Sequence, residues 1–98
     1  MLANCEFMNS HCARLSMLTD EGRTTMGQLA RAKANCTKLG REVTALAREV
    51  CGGNGIILDN HVMKAMNDME VVHTYEGSYD INVLVSAREL TGGLSAIR

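Results

Sequence analysis

Apolar residues recur along the first twenty positions at Met1, Cys5, Met8, Cys12, Leu15 and Leu18, in steps of three or four. That spacing keeps them on one face of a helix. Asp20-Glu21-Gly22 stops the pattern, with Gly22 suited to a left-handed cap. Met1 and Leu2 are already in register, with no capping residue ahead, so the helix is expected to begin in mid-pattern. Thr24 or Thr25 can cap a longer second helix. There Leu29, Ala32, Cys36, Leu39, Val43, Leu46 and Val50 alternate in steps of three and four, with charged residues between them. The pattern predicts the seam of an antiparallel bundle, and an αα-hairpin with the first helix. A free-standing coiled coil is the rival reading, weakened by a glycine cluster after about three heptads.

Cys51-Gly52-Gly53-Asn54-Gly55 breaks the second helix. A shorter helix is expected from about residue 59 to 69, capped by Asp59 or Asn60, with Val62, Met63, Met66 and Met69 on its apolar side. Val71 to Tyr75 is β-branched and aromatic and reads as extended or irregular. Ser78 can cap a last helix, with Asp80 in its first turn and Ile81, Leu84, Val85 and Arg88 on one face. Thr91-Gly92-Gly93 ends it. No repeat, low-complexity run or linker interrupts the chain. The expected fold is all-α: one domain over residues 1–98, a partial antiparallel bundle of three to four helices.

Composition narrows the function classes. A chain of 98 residues buries only roughly two-thirds of its unfolded surface, enough for one core but not for a deep ligand cavity besides. Ten basic and eleven acidic residues leave a net charge of −1, too little field to attract nucleic acid or an anionic membrane. The three aromatics, Phe7, Tyr75 and Tyr79, offer no base-stacking platform. No apolar run approaches the roughly 20 residues of a membrane span. The start, MLANCEFMNSHCAR, does not read as a secretory signal, and the SAIR end is not a peroxisomal SKL-type address. Cysteines at positions 5, 12, 36 and 51 contain no C-x-x-C pair. They read as buried packing thiols of a reducing intracellular compartment rather than as a disulfide or zinc framework.

Three constellations bear on chemistry. The GGNG run can be a helix stop, or a bare-backbone loop before a helix that faces a ligand such as phosphate. It is neither a dinucleotide fingerprint nor a Walker loop. Glu70 and His73 have the E-x-x-H spacing of di-iron bundles, but the motif occurs once and lacks further carboxylates. His11 and His61 read as surface or satisfied polar residues, so no metal site is assigned. In Thr74-Tyr75-Glu76-Gly77-Ser78-Tyr79-Asp80, a carboxylate sits between tyrosine and glycine just outside a helix N-terminus. Glu76 is either a solvated loop residue or, held in an apolar pocket, a general base with a raised pKa.

The stretch from Arg41 to Gly92 resembles the C-terminal helical domain of acyl-CoA dehydrogenases. Within that family it is similar to the branch holding glutaryl-CoA dehydrogenases and short-chain acyl-CoA oxidases. The resemblance rests on GGNGI, an H-V-x-K helix, the TYEG loop and a last helix ending near R-E-L-T-G, and it covers essentially the whole chain. It implies that Glu76 is the catalytic base that removes the α-proton of an acyl-CoA thioester. A hydride passes from the β-carbon to N5 of FAD, leaving a trans-2-enoyl-CoA. Tyr75 and Gly77 would lie beside the substrate, and Gly77 also beside the flavin. Ser78 and Asp80 match FAD-contacting positions where the family often carries Thr and Gln. Gly52, Gly53 and Gly55 match a loop that reaches the adenosine end of FAD in the neighbouring subunit. Glu49 stands where many relatives have glutamine and is assigned no contact.

The same resemblance implies a homo-oligomer, dimeric or tetrameric, with electron-transfer flavoprotein or oxygen as electron acceptor. The compartment would be the cytoplasm of a bacterium, or a mitochondrion or peroxisome. Family members are about four times longer, so this chain is expected to be their truncated C-terminal part, without the N-terminal and middle domains. Alone, it is expected to fold poorly or to associate, and neither to hold FAD tightly nor to turn over substrate. The alternative from another class is a non-catalytic helical interaction module built on the second helix. The pairing of GGNG with YEG argues against it.

Overall fold

The computed structural model describes residues 1–92; Gly93 and the SAIR end lie outside the described residues. Four α-helices carry the fold: α1 (Leu2–Asp20), α2 (Met26–Val50), α3 (Val62–Thr74) and α4 (Tyr79–Leu90). Two short 3-10 turns, Gly52–Gly55 and Leu58–Asn60, join α2 to α3. No strand occurs among the described residues. The fold is all-α, as the periodicity predicts.

Local signals account for several boundaries. Gly22, at φ +68°, closes α1 in a Schellman arrangement. The Arg23 amide bonds Leu18 O at 2.8 Å, and the Gly22 amide bonds Thr19 O at 3.0 Å, which satisfies carbonyls that α1 leaves free. Of the two candidate threonines, Thr25 caps α2, in a reciprocal capping box with Gln28. Ser78 caps α4 by accepting the Ile81 amide, and Asp80 lies in its first turn.

All substantial helix packing runs through α2. Asn4 reaches Glu42 at 3.4 Å, and Leu15 and Leu18 of α1 cluster with Ala32. On another flank α3 lies along the C-terminal half of α2, with Arg41 to Glu70 at 2.7 Å and Thr37 to His73 at 2.9 Å. Helix α4 follows along the N-terminal half, where Arg31 donates to Ser86 at 2.8 Å and the Gly27 amide to Glu89 at 2.7 Å. These pairings run in opposite sequence order, so α1, α3 and α4 are all antiparallel to α2. The α3–α4 junction falls against the middle of α2.

Four expectations are corrected. Val71 to Thr74 is helical, because α3 continues to Thr74. Packing of one face against α2 and the Thr37–His73 bond outweigh the weak extended preference of β-branched residues. Neither Asp59 nor Asn60 caps α3: both lie in the second 3-10 turn, Asn60 bonds Asn54 O, and His61 at φ 64° precedes the helix. The predicted α2 seam is only partly covered, since Leu29 and Leu46 are exposed and Val50 is 76% exposed. The closely packed face is instead Gly27, Ala30, Ala34, Thr37 and Gly40, whose small side chains let α3 and α4 approach. The cysteines, too, are mostly not buried. Cys5, Cys12 and Cys51 are exposed; Cys36 is half-buried, its thiol pushed up to about 11 by burial and by neighbouring Cys12.

The molecule is open. Its radius of gyration is 15.8 Å, against about 13 Å for a globular domain of this length. Among the described residues the buried apolar ones are Leu15, Leu18, Ala30, Ala32 and Ala34, and no large side chain is fully enclosed.

Candidate active site

Residues 75–78 form the short link between α3 and α4. Tyr75, at φ −83° and ψ 164°, leaves the helix in extended geometry; Glu76 then turns left-handed at φ 53°, and Gly77 takes φ 101°. A left-handed backbone is disfavoured for a residue that carries a Cβ. The loop is therefore held by contacts from other elements. Lys33 of α2 donates from Nζ to the carbonyls of both Tyr75 and Gly77. Asn82 of α4 donates from Nδ2 to Gly77 O at 2.8 Å and Ser78 O at 3.0 Å. The carbonyls on either side of Glu76 are thus tied to the helices, and Glu76 stands at the apex between them.

Tyr75, Glu76, Gly77, Ser78 and Asp80 come together here. Gly77 and Ser78 are half-buried, while Tyr75, Glu76 and Asp80 are exposed. The apolar pocket expected around Glu76 is not built by the described residues, and its carboxylate is exposed among them. Beside the loop, Lys38, Arg41, His73 and Tyr79 line a shallow cleft of about 210 Å³. A larger cleft, about 340 Å³, lies at the start of α2 between Gly27 and Glu89 and includes none of the predicted site residues.

The glycine run occupies another place. Gly52, Gly53 and Gly55 form a 3-10 turn of their own at the end of α2, not the direct lead into a helix that the sequence suggested. Lys33, which touches the Glu76 loop, and Gly52 are nineteen residues apart; at 1.5 Å per residue they lie roughly 28 Å apart along α2. The two motifs therefore do not form one pocket within one chain. A side chain at Gly52 or Gly53 would meet nothing within 4 Å, so that backbone is open to a ligand. Gly55 is buried, and a Cβ there would meet the Arg48 carbonyl.

The other polar groups have local roles. Glu70 pairs with Arg41, and His73 bonds Thr37 and lies against Tyr79 with ring centroids 5.8 Å apart. No three of His, Cys, Asp and Glu converge among the described residues. His11 is half-buried, and its enclosed Nδ1 has no hydrogen-bond partner among the described residues, so it is neither the surface nor the satisfied residue expected. Among the described residues no helix is long and apolar enough to cross a membrane.

This arrangement, a tied YEG turn ahead of a capped helix with a GGNG turn at the far end of the central helix, meets a sequence match over residues 1–91. The matching family is described as acyl-CoA dehydrogenase, C-terminal domain. The chain belongs to the acyl-CoA dehydrogenase family. A curated relative, the acryloyl-CoA reductase (NADH) of Anaerotignum propionicum, is 33% identical over 73 residues. That match covers 74% of this chain and 18% of the relative, so the chain spans about a fifth of that protein.

Within this acyl-CoA dehydrogenase domain, two residues of the loop geometry were missed by reading the sequence. Lys33 lay among the charges between seam positions, and Asn82 carried no motif. Their role depends on which loop packs against them, a tertiary fact with no trace in spacing.

Proposed function

We propose that the chain is the C-terminal domain of a longer FAD-dependent enzyme acting on the α,β-bond of an acyl-CoA thioester, with Glu76 as its proton-transfer residue. The observation that carries this reading is the tied turn, which presents one exposed carboxylate at an apex beside Gly77. In the dehydrogenation direction Glu76 takes the α-proton as the β-hydrogen leaves with its electron pair. In the reductive direction, which the name of the Anaerotignum relative describes, the same carboxyl would return that proton. Microscopic reversibility makes one residue sufficient for both.

The residues present suit the cofactor that the family uses. Gly52 and Gly53 leave bare backbone at the end of α2, while Gly77, Ser78 and Asp80 lie beside Glu76. With roughly 28 Å of helix between the loops, they would serve different parts of FAD or the cofactors of two subunits, as in a dimer or tetramer. When bound, FAD supplies a two-electron hydride acceptor. Glu76 is exposed here, so in this reading water is excluded from its carboxylate by further domains, the cofactor or the thioester. Acyl-CoA is the substrate in this reading, with electron-transfer flavoprotein or oxygen as electron acceptor. GGNGI and TYEG favour the glutaryl-CoA dehydrogenase and short-chain oxidase branch. The exposed apolar residues also suit the second reading, a domain that works only by docking.

The test uses the full open reading frame that contains this chain, assayed for flavin bleaching with an acyl-CoA panel. A second assay follows solvent deuterium entering C2 of the thioester. Glu76→Gln is expected to lower both by about 10²–10⁴-fold at unchanged FAD content. Deuterium exchange at the wild-type rate in that variant would rule Glu76 out as the base and favour the docking module.

A further inference from the structure

The Lys33 ammonium is half-buried, and its hydrogen bonds run to two backbone carbonyls rather than to a carboxylate. Those carbonyls, of Tyr75 and Gly77, flank Glu76. Tying both of them fixes the peptide plane ahead of Glu76 and the one that follows Gly77, so Glu76 and Gly77 span two anchored ends. That residue is left-handed, at φ 53°, a state a free loop would leave for the extended or right-handed regions. Asn82 holds the same turn from the α4 side, through the Gly77 and Ser78 carbonyls. An ammonium has three donors in a compact group, so one lysine can grip both sides of a bulge without a second residue. Lys33 sits on α2, which every other helix packs against, and so refers the turn to the most anchored element of the molecule.

We propose that Lys33, supported by Asn82, is the positioning residue of Glu76: its ammonium clamps the 75–77 turn and thereby aims the carboxylate. The catalytic half of this inference rests on the reading of Glu76 as proton-transfer residue; the conformational half does not. In this proposal Lys33 acts through the turn, its donors being taken up by the Tyr75 and Gly77 carbonyls. Its loss should therefore lower kcat rather than weaken binding, since misplacing a reacting group by about 1 Å costs up to about 10²-fold in rate.

The test has two stages. In the full-length enzyme, NMR with selective labelling reads the intraresidue amide–Hα NOE of Glu76, which is strong at positive φ, while circular dichroism reads helix content. Lys33→Met should abolish that signature at unchanged helix content, and Lys33→Arg should partly restore it. If Lys33→Met does not fold, Asn82→Ala is expected to weaken the signature. The wild-type Lys33 ammonium protons should also exchange with water more slowly than those of exposed Lys64. In the full-length enzyme, Lys33→Met should lower kcat about ten- to hundred-fold, with KM within about twofold and FAD content unchanged. Persistence of the NOE in Lys33→Met, ammonium exchange as fast as at Lys64, or an unchanged kcat beside a Glu76→Gln enzyme that is inactive would each overturn the proposal. If Glu76→Gln is fully active while the NOE is lost in Lys33→Met, the base assignment fails and the clamp stands.

Discussion

Gly53 and Gly55 sit two positions apart in one turn and are glycine for different reasons. At Gly55 a Cβ would collide with the carbonyl of Arg48 and press on Cys51. Backbone atoms cannot swing aside, so Gly55→Ala should cost about 1–3 kcal/mol in urea unfolding. At Gly53 the same Cβ meets nothing, and Gly53→Ala should stay within about 0.5 kcal/mol of wild type. If the turn faces a cofactor, the Gly53 variant of the complete enzyme should instead lose FAD affinity, measured by flavin release on dilution. At this scale the sequence was informative about Glu76, because the TYEG run names it, and about Ser78, because capping depends on neighbours three residues away. It was silent about Lys33, whose partners are more than forty residues distant.

Among the elements, α2 shows how a helix start can be stabilised twice. Thr25 satisfies the Gln28 amide, and the Glu89 carboxylate from the end of α4 accepts from the Thr25 hydroxyl and the Gly27 amide, each at 2.7 Å. The hydrogen bond from Thr25, and then that from the Gly27 amide, hold the Glu89 carboxyl below its ordinary value. A folded-state pKa below the unfolded one stabilises the protein above the ordinary carboxylate range, and the gain is lost as pH falls through the lowered value. Acidification below the usual glutamate pKa of 4.5 should therefore loosen the α2–α4 contact. Amide exchange at Gly27 and Gln28 should accelerate there, and Glu89→Gln should remove that pH dependence. Helix existence and the Thr25 cap were legible in local pattern. The extension of α3 through Thr74 was not, because packing against α2 outweighs the intrinsic preference of two valines.

At the scale of the whole molecule, three helices lie antiparallel on one, and much apolar surface remains uncovered. Leu2, Met26, Val50, Leu58 and Leu90 are each at least 70% exposed, and such side chains in number mark an interaction surface. In the longer enzyme proposed above, further domains and subunits would cover it. Expressed alone, the 98-residue chain should self-associate, with a sedimentation coefficient that rises with concentration and with enhanced ANS fluorescence. A concentration-independent monomer that binds no dye would show that this surface is tolerated by itself.

The sequence by itself determined the all-α class, the two long helices, the glycine stops, two helix caps and the place of Glu76 just ahead of the last helix. Each depends on residues within about four positions of one another, where periodicity and capping chemistry act. Tertiary structure decided which face of α2 is buried: the small-residue row at Gly27, Ala30, Ala34, Thr37 and Gly40 rather than the bulkier seam. Close approach of helices rewards the absence of side-chain volume, which a hydropathy pattern does not register. It also decided that the GGNG and YEG turns lie at separate places along α2, and that Lys33 grips the Glu76 turn, because both follow from antiparallel pairing of segments distant in the chain.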